Sequence, residues 1–291
     1  MKILRLSGLI VFLFSFAVFT WFRISEVKSS DTTGPVFDCK ADSLAVSVKT
    51  TEEDLLEGIT AYDQKDGDVT DTIMIEKLSG FITAGKRKLT YAAYDSSNNV
   101  TKYERELTYT DYTPPRFSIT KPFSFSVSGQ DSITGYLTAT DCIDGDLTDK
   151  ITYEAPNEIM GQSVGTYEVK FFVTNSAGDT ACLPVTVEYH YTDADNADRV
   201  PEIELSDYLI YIKTGTAFNP RSFLKGVKIG AKQYSIQTNQ SIPAADNVIS
   251  QDRITVKSGV NQKEPGVYEV NYSMTEDGFQ GTTKLLVVVE E

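Results

Sequence analysis

One histidine, His190, and three cysteines, Cys39, Cys142 and Cys182, are the only imidazole and the only thiols in this chain of 291 residues. With no C-x-x-C pair and a single imidazole, a zinc centre lacks its ligands. Serine or cysteine nucleophiles likewise lack a base. The cysteines are too few for a disulfide framework; one bridge between Cys142 and Cys182 is conceivable and would leave an odd thiol. Basic residues are also scarce. The formal charge is -14, and beyond the first 24 residues 24 basic face 41 acidic residues. Phosphate binding needs a basic surface, so no nucleic-acid partner is expected. Divalent cations are the natural counter-charge. No amphipathic helical stretch of ordinary length follows the N-terminal region, and no Gly-rich loop precedes a helix to cradle phosphate.

One long apolar run is present. Leu6–Phe22 holds no charge, follows Lys2 and Arg5, and at 17 residues reaches the lower limit for spanning hydrocarbon. As an uncleaved anchor (residues 1–24) it would make a single-pass membrane protein, N-terminus cytoplasmic and the remaining domains extracellular. The competing reading is a cleaved signal peptide and a secreted chain, with a weak small-x-small site at Val27 and Ser29.

The dominant feature is a repeat. Ala61-Tyr-Asp-Gln-Lys-Asp-Gly-Asp-Val-Thr-Asp-Thr-Ile73 returns 78 residues later as Ala139-Thr-Asp-Cys-Ile-Asp-Gly-Asp-Leu-Thr-Asp-Lys-Ile151. Self-similarity at a fixed period makes each unit a structural module. After a polar stalk at 25–33, a first module covers 34–112 and a second 113–192, opened by Pro114-Pro115. A linker at 193–200 leads to a third module at 201–291.

Within the modules the hydrophobic period is two, the mark of half-buried strands. In Gly165–Thr174 the inward set is Tyr167, Val169, Phe171 and Val173; in Gly266–Thr275 it is Tyr268, Val270, Tyr272 and Met274; in the first module it is Leu89, Tyr91 and Ala93. Each strand meets a turn (Asp95–Asn99, Asn175–Asp179, Glu276–Phe279) rich in residues that tolerate left-handed backbone. A closing strand follows: Val100–Tyr109, Thr180–Tyr189 or Gly281–Val289. This pattern predicts an all-β chain of tandem antiparallel sandwiches. The third module replaces the acidic motif with Gly226–Arg253.

These residues resemble the bacterial immunoglobulin-like domain found in pesticidal crystal toxins and, as repeats, in surface proteins of Gram-positive bacteria. The shared pattern is A-x-D-x-x-D-G-D-[VL]-T-x-x-I, then G-x-Y-x-V-x-Y-x-[AV]-x-D-x-x-G-N. The first module departs with Arg87 for Tyr and Asn98 for Gly, the second with Asn175 for Asp. The third matches only at Gly215, Phe218, Pro220, Gly266, Tyr268, Val270 and Tyr272. The resemblance implies a spacer, adhesion or binding module with no catalytic residues.

Chemistry concentrates in Asp63, Asp66, Asp68 and Asp71 and in their copies Asp141, Asp144, Asp146 and Asp149. Four carboxylates in nine residues repel one another unless a cation or many hydrogen-bond donors intervene. Calcium, which prefers a flexible shell of oxygens, is the candidate ion, although the spacing is not that of an EF-hand. The competing reading is a turn in which Gly takes positive φ and Asp accepts nearby N–H groups. Tyr189, Tyr191, Tyr208 and Tyr211 could stack on sugar rings or serve interdomain contacts. The Lys225–Lys232 stretch reads as a solvated loop face. The expected function is a membrane-anchored surface protein for adhesion, spacing or envelope assembly, whose partner is a surface or envelope protein or glycan. Calcium-dependent glycan recognition is the alternative.

Overall fold

The computed structural model describes residues 2–29, 31–127, 129, 131–160, 163–237 and 247–291. The chain is mostly β-sheet and divides into two compact units, Met1–Tyr112 and Thr113–Glu291.

The first unit begins with a helix over Lys2–Ser29. Among the described residues no helix is long and apolar enough to cross a membrane. The uncharged run between Arg5 and Arg23 rises about 26 Å at about 1.5 Å per residue, short of a hydrocarbon core of about 30 Å. The expectation of a single-pass membrane protein with extracellular domains is corrected on this ground.

Beyond the helix, a three-stranded sheet orders Val36–Cys39, Ile59–Asp63 and Gly67–Asp68. A four-stranded sheet orders Ser43–Val46, Val100–Tyr109, Lys86–Tyr94 and Met74–Thr83. Alternation decides which faces meet: Ile59 from one sheet and Leu89, Tyr91 and Leu107 from the other form one buried cluster. The Tyr91 hydroxyl donates to Leu55 O at 2.6 Å, so its polar tip is not stranded in the core.

The second unit holds two such sandwiches. In one, Gly145–Asp146, Leu137–Asp141 and Arg116–Ile119 face Thr152–Glu154, Gly165–Thr174, Thr180–His190 and Ser124–Ser126. In the other, Glu202–Leu205, Leu224–Ile229, Lys232–Gln237 and Val248–Ser250 face Leu209–Lys213, Phe279–Glu290, Gly266–Glu276 and Thr255–Ser258. Lys225–Lys232, expected to be a loop face, lies instead in the hairpin that pairs Leu224–Ile229 with Lys232–Gln237, and within Gly226–Arg253 the stretch 238–246 lies outside the described residues. Leu286 of the third module is buried in the core of the second, and Tyr208, Leu209, Val267 and Val288 of the third also pack against that core.

The inward sets follow the period-two reading. Val169, Phe171 and Val173 are buried, as are Val270, Tyr272 and Met274, while Tyr167 and Tyr268 are half-buried. Those two tyrosines donate to the carbonyls of Ser163 and Glu264, both at 3.0 Å. Arg87, in the same place in the first unit, sends Nε to Ser79 O at 2.6 Å and lies over the Phe81 ring. A planar guanidinium thus does the work of a phenol.

The sheets are not antiparallel throughout. Ser43–Val46, Ser124–Ser126 and Leu209–Lys213 each run parallel to the closing strand of their sandwich. Each follows a first strand that pairs in the opposite sheet, so the chain switches sheets without reversing and joins the far edge beside the last strand. All three cysteines are free thiols, so the conceivable Cys142–Cys182 bridge is not formed.

Candidate functional site

Each acidic motif is built on the end of an inner strand. Ala61 and Ala139 are buried, and the strand then delivers Asp63 or Asp141 to its last position, also buried. Asp63 Oδ1 accepts the backbone N–H groups of Lys65 at 2.8 Å and Asp66 at 3.0 Å. Asp141 Oδ1 accepts those of Ile143 at 2.7 Å and Asp144 at 3.0 Å. Gly67 and Gly145 follow at φ 80° and 75°, where a side chain would be strained.

The second carboxylate reaches across to the hairpin turn of the facing sheet. Asp66 accepts Ser96 N at 2.9 Å and Ser96 Oγ at 2.8 Å; Asp144 accepts Ser176 N and Ser176 Oγ, both at 2.6 Å. The third turns away and closes a local turn onto the threonine two residues on, at the start of the short 3-10 turn. Asp68 accepts Thr70 N at 3.0 Å, and Asp146 accepts Thr148 N at 2.9 Å and its hydroxyl at 2.7 Å. The threonine hydroxyls and N–H groups hold both carboxyls below the usual range. Asp71 and Asp149 are exposed.

The repeats differ where the sheets meet. In the second sandwich Asn175 Nδ2 donates to Asp141 Oδ2 at 3.1 Å. The equivalent position in the first unit is Asp95, and Asp63 Oδ2 is buried with no hydrogen-bond partner. One ligand oxygen from each of Asp31, Asp63, Asp66 and Asp95 lies within 4.8 Å of the others. Burial raises the Asp95 carboxyl, but hydrogen bonds from Asn99 and Ser97 outweigh it and hold the carboxyl below its usual value. Thr33, through its N–H and hydroxyl, lowers Asp31.

The structure therefore brings Asp63 and Asp66 together but sets Asp68 and Asp71 apart, and it adds two residues that the motif does not contain. Asp31 lies in the predicted stalk and Asp95 in a hairpin turn. The one sequence signal for Asp95 is its replacement by Asn175 in the other repeat.

The aromatic candidates separate as well. Tyr189 is buried and stacked on Phe125 at 5.5 Å, Tyr191 is 80% exposed, and Tyr211 lies in the join between the second and third sandwiches. A cleft of about 310 Å³ in the second unit is lined by Phe123, Tyr208, Lys257, Glu269, Asn271 and Lys284. Thr283 Oγ1, also in its wall, is buried without a partner. His190 Nδ1 sits 3.3 Å from Ser124 Oγ at an exposed edge, and among the described residues no carboxylate is hydrogen-bonded to the imidazole.

No known family profile matches the chain. It is 35% identical over 147 residues to the pesticidal crystal protein Cry22Aa of Bacillus thuringiensis, a match covering 50% of this chain and 17% of that protein. It is 27% identical over 156 residues to an 81.3 kDa protein of Acholeplasma phage L2, covering 53% and 19%. The chain thus spans a minor part of either relative. Among solved structures, the M60 catalytic domain of Clostridium perfringens ZmpB with its CBM51-1 and CBM51-2 domains aligns over 88% of this chain and 30% of that one, at 13% identity and TM-score 0.22. The protocadherin gammaB4 extracellular domain aligns over 89% and 50%, at 10% identity and TM-score 0.20. Likeness at those scores carries no argument about function.

Proposed function

We propose that this chain is a non-catalytic array of immunoglobulin-like sandwiches that spaces or presents a contact surface for adhesion or assembly, with a surface protein or a glycan as partner. The join inside the second unit is the observation that carries this reading. There Tyr211 accepts the Phe117 N–H at 2.9 Å, Arg116 pairs with Glu290, and the Arg116 guanidinium lies 4.8 Å from the centre of the Tyr211 ring. A freely hinged tether needs no such contacts; a module that holds a fixed reach does. The identity to a pesticidal crystal protein over half the chain supports kinship with the bacterial immunoglobulin-like family.

Spin labels at the exposed positions Glu154 and Thr255, one on each sandwich of the second unit, test it. A single narrow distance distribution is expected. A broad one removes the spacer reading.

Glycan recognition is the second reading, favoured by the cleft that sets Tyr208 and Phe123 beside Lys257, Glu269 and Asn271. An apolar face with a few convergent polar groups is the usual make-up of a small-ligand site. A glycan array probed with the whole chain decides it: binding that K257A/N271A abolishes supports the cleft, and binding untouched by that pair excludes it.

A further inference from the structure

We propose that the first unit holds a calcium ion between Asp31, Asp63, Asp66 and Asp95, and that in the second sandwich Asn175 does the ion's work without metal. The two repeats make an internal comparison. Asp63 and Asp141 share a strand end and the same pair of backbone donors on Oδ1. Asp66 and Asp144 share the same serine partner across the sheets. The difference is what faces the other oxygen of the buried carboxylate. Asn175 supplies an amide donor; Asp95 supplies a third carboxylate.

A buried carboxylate oxygen with no donor is costly, and a neighbouring carboxylate makes it more so. Asp63 is 1% exposed and Asp95 3%, so water cannot freely screen the pair. Asp31 Oδ2 is a second buried oxygen without a partner. Among the described residues none of the four takes part in a salt bridge. The nearby Lys65 ammonium donates to Ser97 Oγ at 3.4 Å.

A cation satisfies all these oxygens at once. Calcium binds oxygen at about 2.4 Å, so ligands on opposite sides of its shell are about 4.8 Å apart. One oxygen from each of the four carboxylates fits within that diameter. Water would complete a shell of about 6–8 oxygens. Asp111, the counterpart of Asp31 one repeat on, is engaged elsewhere: Oδ2 accepts Ser47 Oγ at 2.6 Å and Oδ1 accepts Val48 N at 2.8 Å. The ion would tie the Asp31 segment to the strand end and the hairpin turn of the first sandwich.

The test is hydrogen exchange by mass spectrometry on the full chain, in calcium chloride and after chelator treatment, with calorimetric titration of calcium chloride alongside. Calcium is expected to slow exchange about tenfold or more at the amides of Lys65, Asp66, Ser97 and Asn99, and to leave Ile143 and Asp144 unchanged, since bound ligand lowers the population of open states. Asp95→Asn copies the second sandwich; it should show the slow exchange without calcium and no calcium response. Wild-type protein with no heat of binding and no local slowing overturns the proposal. So does a D95N protein that responds like wild type, or an equal effect of magnesium chloride.

Discussion

The hydroxyl of Tyr211 receives the backbone N–H of Phe117 at 2.9 Å across the join between the second and third sandwiches. Phe117 is the first buried residue of its strand, and Tyr211 comes from the strand that switches sheets in the third module. Burial pushes the Tyr211 phenol up, against the opposing effects of the Phe117 N–H and the Arg116 charge, so the hydroxyl stays neutral at ordinary pH.

Tyr211→Phe keeps the ring under Arg116 and removes only the acceptor. It should lower the stability of the second unit by about 1–2 kcal/mol, the cost of a part-buried N–H left unpaired. Urea unfolding measures it. An unchanged midpoint would mean that water replaces the hydroxyl and that the join is looser than the geometry implies.

Asp141→Ala leaves the N–H groups of Ile143 and Asp144 and the Asn175 amide without their acceptor. A loss of about 2–4 kcal/mol is expected, with Asp141→Asn milder because one oxygen remains. Thermal unfolding of the two variants ranks them, and the reverse order would sink the account of the turn.

Gly281 sits against the residue that opens the third module. A Cβ built there would lie 1.7 Å from the Pro201 carbonyl oxygen, which is backbone and cannot rotate aside. Gly281→Ala should therefore destabilise by more than about 2 kcal/mol or yield no folded third module. Soluble expression and a melting point within a degree of wild type would contradict the close approach.

The pH dependence follows from Asp146. The Thr148 hydroxyl and N–H hold its carboxyl below the ordinary value of 3.8. The folded state therefore binds this proton less readily than the unfolded chain. The contribution is fully present above about pH 4 and is lost as pH falls through the depressed folded value. Carbon NMR titration should show Asp146 titrating below an unstructured aspartate, and Thr148→Val should return it towards 3.8. A wild-type midpoint at or above that value would be falsifying.

Much of the site was legible, but unevenly. The repeat placed Asp63 and Asp141 at equivalent strand ends, and the Gly between acidic residues announced a left-handed turn that Gly67 and Gly145 adopt. The motif alone grouped Asp68 and Asp71 with Asp63, because they are neighbours in the chain. In the fold Asp68 accepts the N–H of its own neighbour Thr70, while Asp95, 32 residues after Asp63, comes into the group through the facing sheet. The membrane span failed for a different reason: at 17 residues the uncharged run stands at the lower limit for crossing, and its rise of about 26 Å falls short of the hydrocarbon thickness.

Period-two burial, turn chemistry and the duplicated acidic motif act over a few residues, so the order of the chain sets them, and with them the strands, their inward faces and the three closing hairpins. Which carboxylates confront one another depends on sheet facing sheet. That depends on strand pairings dozens of residues apart, and only the folded sandwich decides whether Asp63 meets a charge at Asp95 or Asp141 meets an amide at Asn175.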